Sequence, residues 1–382
     1  MKPRILFVGA GNIDRSQMAE EALVRESARG AIEVCGAGER PDWVVTLGER
    51  ARVQCPELPG NPWRLHWPLD DLPDSSGTPM TEPAVLRRAL DAMEDRLPGL
   101  IRMATTRPSA RELDLQPGIS TVVTGPRMFD PLIDLPRFVS VGFRVIELCL
   151  ARDTEEFPWR DPGTIRSLRK AAEGHGVTIW SVHAPSVDNQ VAAVDARVRQ
   201  RFVDTLRRTL DVAEELGARV VPFHTGLSPD RVKAGSHSKA AMRSSLEAVA
   251  EHARSLACVP GWENAPPGWV DFEPEEIVHW ILAMPADGMG FVCDTGHANL
   301  LGGDLEGYLP RLASRLASWH FNDNNGKEDI HLLPGRGTLD GRAVRKLREE
   351  MNYVGPLILE VWNDRDELQE FLHVARGIAA TL

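Results

Sequence analysis

GFVCDTGHANL, residues 290–300, is an apolar run that stops at Asp294 and carries His297 three residues further on. Read as a buried strand running into a helix, it places a carboxylate and an imidazole at the C-terminal end of that strand. The same pattern recurs outward in both directions. VTIWSV (177–182) ends in His183, ARVVPF (218–223) in His224, CVPGW (258–262) in Glu263, LASW (316–319) in His320 and PLIL (356–359) in Glu360. FRVI (143–146) ends in Glu147, and ISTVV (119–123) supplies one more apolar run. Between them lie amphipathic stretches such as RVRQRFVDTLRRTLDVAEELG (197–217) and SKAAMRSSLEAVAEHARSL (238–256), with apolar residues at helical spacing. Eight strand–helix alternations from Gly118 onward predict an α/β fold, a (β/α)8 barrel over residues 118–382, with a doubly wound open sheet as the competing architecture.

The placement of ionisable groups favours the barrel. In a (β/α)8 barrel the C-terminal strand ends open onto one face, so residues far apart in sequence meet in one mouth. Five of the chain's 11 histidines, His183, His224, His297, His320 and His331, fall at such positions or in the loop after LASWHF, together with Glu263, Asp294, Asp329 and Glu360. A lone histidine at a strand end is ordinarily a hydrogen-bonding residue, and a lone glutamate an ion-pair partner. The joint pattern is what points to metal. Clustered carboxylates repel one another unless cations lie between them. Imidazole and carboxylate without thiolate suit zinc, manganese or iron(II). A single ion needs three or four protein donors, so this set is large enough for one to three ions per chain. Glu147 reads as either a substrate or supporting contact or a structural residue.

The segments SVHAP, PFHTG, WENAP, CDTGHANL, WHFNDNNGKEDIHLLPGRGTLD and LILEVW resemble the xylose isomerase-like TIM-barrel superfamily, which includes sugar-phosphate isomerases, epimerases and the endonuclease IV family. In the endonuclease IV branch the resemblance implies three zinc ions on His183, His224, Glu263, Asp294, His297, His320, Asp329, His331 and Glu360. In the isomerase and epimerase branch it implies one metal on Glu263, Asp294, His320 and Glu360. One departure is Pro334-Gly335-Arg336-Gly337, where the family often has P-G-E-G. Arg336 is therefore an expected contact for a substrate anion, with Asn322 as a second substrate contact. Both mechanisms use the same donors. Metal-assisted proton transfer by Glu263 and Glu360 on a sugar, sugar phosphate or similar small substrate is placed first. A multinuclear phosphoester hydrolase, or an iron oxidative enzyme, is the alternative, and a non-catalytic binding module ranks last.

Composition sets the limits. The 382 residues carry a formal net charge of −11, which speaks against a nucleic-acid binder and for a small-molecule substrate. No apolar run is long enough for a membrane span, and the N-terminus lacks the features of a signal peptide, so a cytoplasmic location is expected. Homo-oligomerisation is compatible with the sequence. The five cysteines (35, 55, 149, 258, 293) are scattered, which argues against a disulfide framework or a thiolate metal site.

Residues 1–105 read as a separate small α/β unit, with a polar, proline-containing linker at 106–117. ILFVGAGNIDRSQMAEEAL resembles the phosphate loop of low-molecular-weight tyrosine phosphatases and arsenate reductases, C-x5-R-S after a strand. The resemblance implies an oxyanion cradle at Asn12, Arg15 and Ser16. Gly9 stands where the nucleophilic cysteine belongs, so thiolate chemistry has no attacking atom there and the unit is expected to be a degenerate, non-catalytic relative.

Overall fold

A computed structural model of the chain describes residues 2–69 except 10–12, 27–31, 37, 56–57, 59–61 and 68; part of 89–104; and residues 116–379 except 126–128, 151–156, 186–189, 226–237, 267–273, 285–287, 302–306, 308, 352, 354 and 364–366. The chain divides into two compact units, Met1–Leu113 and Asp114–Leu382.

The first unit is a parallel four-stranded sheet of β1 (Arg4–Gly9), β2 (Glu33–Val34), β3 (Trp43–Leu47) and β4 (Trp63–Trp67), in the order β2-β1-β3-β4. Helix α1 (Ile13–Glu26) follows β1, and α2 (Glu49–Val53) follows β3. β3 is apolar apart from Thr46 and buried throughout, as its central place in the sheet requires. β4, Trp-Arg-Leu-His-Trp, alternates Trp63, Leu65 and Trp67 with Arg64 and His66, the period of a strand. Of the expected oxyanion cradle, Asn12 lies outside the described residues, as does the side chain of Arg15; Ser16 is half-buried on α1.

The second unit is a closed barrel of eight parallel strands in the order β10-β11-β12-β5-β6-β7-β8-β9. The strands are β5 (Pro117–Ser120), β6 (Val145–Cys149), β7 (Thr178–His183), β8 (Val220–Phe223), β9 (Val259–Glu263), β10 (Gly290–Asp294), β11 (Leu316–Phe321) and β12 (Leu357–Leu359). The helices are α3 (Pro131–Ser140), α4 (Pro162–His175), α5 (Ala196–Leu216), α6 (Lys239–Ala253), α7 (Pro274–Ala283), α8 (Thr295–Leu300), α9 (Gly341–Glu350) and α10 (Leu368–Ala379). The eight runs singled out in the sequence are the eight barrel strands. The first is displaced: β5 starts at Pro117, inside the expected linker, and ends at Ser120. Val122 and Val123 belong instead to a 3-10 turn, because the Ser120 hydroxyl accepts the Val122 N–H at 3.4 Å and Thr124 Oγ1 donates to the Thr121 carbonyl at 3.0 Å.

Helix starts are set by side-chain caps. Asp161 accepts from Thr164 N at 2.8 Å ahead of α4, Asp195 from Arg197 N at 2.8 Å ahead of α5, and Ser238 from Ala241 N at 3.1 Å ahead of α6. α5 turns Phe202, Val203, Leu206, Leu210 and Ala213 toward the barrel wall, a three-to-four-residue rhythm. The layer between helices and strands is the main core and includes the fully buried Phe138, Phe143, Phe223, Phe291 and Trp319. Inside the barrel, Val220, Val292 and Ala317 form a separate small cluster. Gly261 on β9 leaves room for it, since a Cβ there would lie 2.6 Å from Val292 Cγ2 and 2.9 Å from Val220 Cγ1. Below the strand ends the barrel is thus packed with this aliphatic cluster, beside the buried Trp180 Nε1–Ser318 Oγ bond at 3.1 Å and the buried Arg219, while the carboxylates and imidazoles collect at the C-terminal end. Among the described residues no helix is long and apolar enough to cross a membrane. None of the five cysteines is in a disulfide; Cys149 is half-buried, while Cys258 and Cys293 are buried.

Candidate metal centre

Strand register decides which side chains meet. Asp294 pairs with His320 between β10 and β11, and Glu147 faces Ser181 between β6 and β7. Glu263 ends β9 beside Val292, two strands round the barrel from His183 at the end of β7. All nine expected ligand residues converge. His183 Nε2 lies 3.0 Å from Glu263 Oε2, and His224 Nε2 lies 3.6 Å from the same oxygen. His320 Nδ1 lies 3.0 Å from Glu263 Oε1 and 3.1 Å from Glu360 Oε2. His297 Nε2 lies 3.4 Å from Asp329 Oδ2, and His331 Nε2 lies 3.2 Å from Asp329 Oδ1. Three donor groups result, each with its atoms within 4.8 Å of one another: His183, Glu263 and His320; Glu263, Asp294, His320 and Glu360; and His297, Asp329 and His331. Glu263 and His320 are shared between the first two.

The hydrogen bonds on the outer side of the imidazoles show what the inner side is for. His183 Nδ1 lies 2.9 Å from the Ala184 carbonyl, His297 Nδ1 2.8 Å from the Asn264 carbonyl and His331 Nδ1 2.7 Å from the Glu360 carbonyl. A carbonyl only accepts, so each of these nitrogens carries the proton. His320 is turned the other way: its Nε2 meets Glu147 Oε2 at 2.9 Å, leaving Nδ1 inward. In neutral imidazoles the inward nitrogens would therefore present lone pairs to carboxylate oxygens. Two lone pairs at about 3 Å repel unless a cation lies between them. Either each ring takes a second proton, or metal ions occupy the middle. The donor set fits divalent metal, with the inward nitrogens of His183, His297, His320 and His331 in the ligating tautomer.

Acidity follows the same logic. Burial opposes the charge on His183, but its hydrogen bond to Glu263 and that residue's charge prevail and lift it to about 9. Burial likewise opposes His331, which the bond to Asp329 and the charge of Glu360 raise to about 9. His297 and His320 are held well above the ordinary imidazole range, against burial, by Asp294 and Asp329 for the first and Glu147 and Glu263 for the second. His224 goes the other way: burial lowers it to about 4, only partly offset by Glu263. Burial raises Asp294 to about 6 against the pull of His297, whereas Glu360, raised by burial, is brought down to about 2 by His320. In the ion-free protein, protons do the work of the missing positive charge.

Metal uptake must displace those protons, which fixes the sign of its pH dependence. The ion-free site binds more protons than the loaded one, so apparent affinity rises with pH until His183 and His331 are neutral near about 9. Competition titrations against a chromophoric chelator should show the affinity growing up to about tenfold per pH unit for each proton released between about pH 6 and about pH 8. A flat profile over that range would contradict the second proton assigned to these rings in the ion-free protein.

The residues expected to touch substrate fare differently. Glu147 and Asn322 are fully buried, and each puts one polar atom on the ligand set, Oε2 on His320 and Nδ2 on Asp294. Glu147 Oε2 also accepts from the Ser181 hydroxyl at 2.7 Å, and Asn322 Nδ2 donates to Asp294 Oδ2 at 2.7 Å. Glu147 lies within β6 and Asn322 just past the end of β11, and both are turned onto the ligand set. Arg336 is exposed in the turn between Gly335 and Gly337. Sequence reasoning missed Asn264, Asp323 and Trp362. The Asn264 amide bridges β9 to β10, accepting from Asp294 N and donating to Asp294 O, both at 2.8 Å. Trp362, 39% exposed, stacks on His331 with ring centroids 4.6 Å apart at 10°. Its position two residues after Glu360 was the only available signal. His331 is the one described non-glycine residue with positive φ (39°), a conformation that costs on the order of 1 kcal/mol and is met here by bonds on both sides. Trp362 N donates to its carbonyl at 3.0 Å while its own Nδ1 donates to Glu360 O.

Comparison with known proteins places this geometry. The family model described as xylose isomerase-like TIM barrel matches residues 136–380, all within the second unit. The uncharacterized protein MJ1311 of Methanocaldococcus jannaschii is 28% identical over 273 residues, covering 69% of this chain and 91% of its own. A probable endonuclease 4 of Thermoplasma acidophilum is 26% identical over 208 residues, covering 51% and 71%. A D-psicose 3-epimerase of Ruminiclostridium cellulolyticum is 22% identical over 241 residues, covering 59% and 76%. Among solved structures, a D-tagatose 3-epimerase-like protein superposes with a TM-score of 0.58 at 25% identity, covering 70% of this chain and 99% of its own. IOLI protein with a binding zinc atom superposes at 0.56 with 16% identity, covering 70% and 96%, a likeness of fold alone.

Proposed function

Since the chain belongs to the xylose isomerase-like TIM barrel family, we propose that it is a divalent-metal-dependent epimerase or isomerase of a small sugar or sugar-like ketone. The observation that supports this reading most directly is the pair of carboxylates on one imidazole. Glu263 Oε1 and Glu360 Oε2 lie 3.0 Å and 3.1 Å from the same His320 nitrogen. An ion held by Glu263, Asp294, His320 and Glu360 would polarise a carbonyl and the neighbouring hydroxyl. One carboxylate removes the proton from the carbon beside the carbonyl, and the electron pair moves to the oxygen as an enediolate. The other returns a proton to that carbon's opposite face for epimerisation, or to the adjacent carbon for isomerisation. Burial of both groups keeps water from intercepting the intermediate. The remaining donors, His183, His224, His297, Asp329 and His331, give the mouth room for further ions beside that one. Relatives named as epimerases agree with the reading.

The third donor group favours a second reading, a multinuclear phosphoester hydrolase, in line with the relative named as a probable endonuclease. Metal analysis and product analysis separate the two. Incubation with a panel of ketoses and ketose phosphates in heavy water should place deuterium on the carbon beside the carbonyl. Release of phosphate from a phosphoester, with no deuterium in any ketose, would replace the first reading by the second. For the N-terminal unit the proposal is a structural, non-catalytic role, because Gly9 carries no nucleophile, with oxyanion binding at Asn12, Arg15 and Ser16 as the alternative.

A further inference from the structure

The first two donor groups are carried by strand ends, whereas the third takes Asp329 and His331 from the long connection between β11 and α9. That connection pairs with itself through one antiparallel bridge, Asp323 with Leu332, and meets the β12 end through His331, so its shape depends on what gathers its two ends. Asp323, fully buried just beyond β11, spends its whole carboxylate on the backbone of its own loop. Oδ1 accepts the N–H of Asn324 at 2.8 Å and of Leu339 at 3.0 Å; Oδ2 accepts the N–H of Gly335 and of Gly337, both at 2.9 Å. Its backbone exchanges two further bonds with Leu332, at 2.9 and 2.7 Å. The loop is thus closed around one anion, with Asp329 and His331 between its gathered ends. The same contact explains the second glycine of Pro334-Gly335-Arg336-Gly337: a Cβ on Gly337 would overlap the Asn324 carbonyl and the Asp323 carboxylate. The motif is a backbone clamp, and Arg336 between its glycines is exposed.

We infer that Asp323 is the positioning residue that assembles the third donor group, and that the ion held by His297, Asp329 and His331 is the one the chain loses first. This rests on the multi-ion capacity proposed above. None of the four bonds of the Asp323 carboxylate goes to His297, Asp329 or His331; it acts through the loop's backbone. Asparagine at 323 keeps the size but replaces one acceptor oxygen by an N–H donor, so two of the four amides lose their partner whichever way it turns.

The test is metal counting on full-length protein loaded with zinc and then challenged with graded chelator. Wild type, Asp323→Asn, Gly337→Ala and His331→Ala are compared, with thermal melts of each ion-free form. Asp323→Asn and Gly337→Ala should each hold one ion fewer than wild type, matching His331→Ala, while the remaining ions leave at the wild-type chelator concentration. Retention of the full complement by both clamp variants overturns the inference, and so does parallel loss of all ions, which is what general loosening of the barrel would give. If Asp323→Asn does not fold, Gly337→Ala decides on the same criteria. If His331→Ala holds as many ions as wild type, the multi-ion capacity itself fails and the inference falls with it.

Discussion

Glutamine in place of Glu263 is expected to lower turnover by about 10²–10⁴-fold, the range for loss of a general acid–base group, and to strip the strand-borne metal sites as well. Glu263 is the most connected side chain in the mouth. Its two oxygens meet His183, His224, His297 and His320, at 3.0, 3.6, 3.7 and 3.0 Å. Glutamine keeps the size and removes the charge. One of its two polar atoms becomes an N–H₂, which cannot ligate and points a donor at imidazoles already in their ligating tautomer. The loss therefore exceeds that of a single contact, since two donor groups share this residue. Metal content by elemental analysis and rate by the deuterium-exchange assay should fall together. Metal and full activity surviving in the variant would remove Glu263 from the centre of the site.

The second large effect concerns stability. His320 stands among Glu147, Glu263 and Glu360, at 2.9, 3.0 and 3.1 Å. In the ion-free protein, burial opposes its charge, but these carboxylates hold it well above the usual imidazole range. Its charge is thus the counterweight to theirs. His320→Ala leaves buried carboxylates without that partner, a change that typically costs about 3–5 kcal/mol. The sign with pH follows from linkage. A raised imidazole contributes its full stability at low pH, below its unfolded value, and loses it as pH climbs through the folded one. In the variant, the orphaned carboxylates relieve their repulsion by taking up protons as the pH falls. The variant's deficit should therefore be large at neutral pH and shrink toward about pH 4, where carboxylates protonate. Chemical unfolding of ion-free wild type and variant across that range measures it. An equal deficit at every pH would point to lost packing alone.

How much of this was legible beforehand is best judged residue by residue. His183, Glu263, Asp294, His320 and Glu360 were legible because an apolar run ending in an ionisable group is a pattern local to a few residues. Glu147 was legible as a strand-end residue, but its role was not. Whether its carboxylate faces a substrate or His320 depends on how β6 lies against β7 and on a hydroxyl from Ser181, 34 positions away. Nothing local to Asn322 signalled that its amide nitrogen donates to Asp294, 28 positions away. The end of β5 was misplaced because valines favour strands, and only the hydroxyls of Ser120 and Thr124 turn the chain there.

The sequence by itself determined the barrel and the list of donors. Alternation of apolar runs with amphipathic stretches is a periodic signal, and periodicity is carried in the chain. The tertiary structure decided how those donors are grouped, which nitrogen of each ring faces inward, and what holds the loop bearing Asp329 and His331. Those are matters of register and of hydrogen bonds between residues far apart in the chain, such as His183 with Glu263 and His320 with Glu147. No local pattern encodes a distance between two strand ends. Closure of the barrel does, by fixing the stagger of all eight strands together.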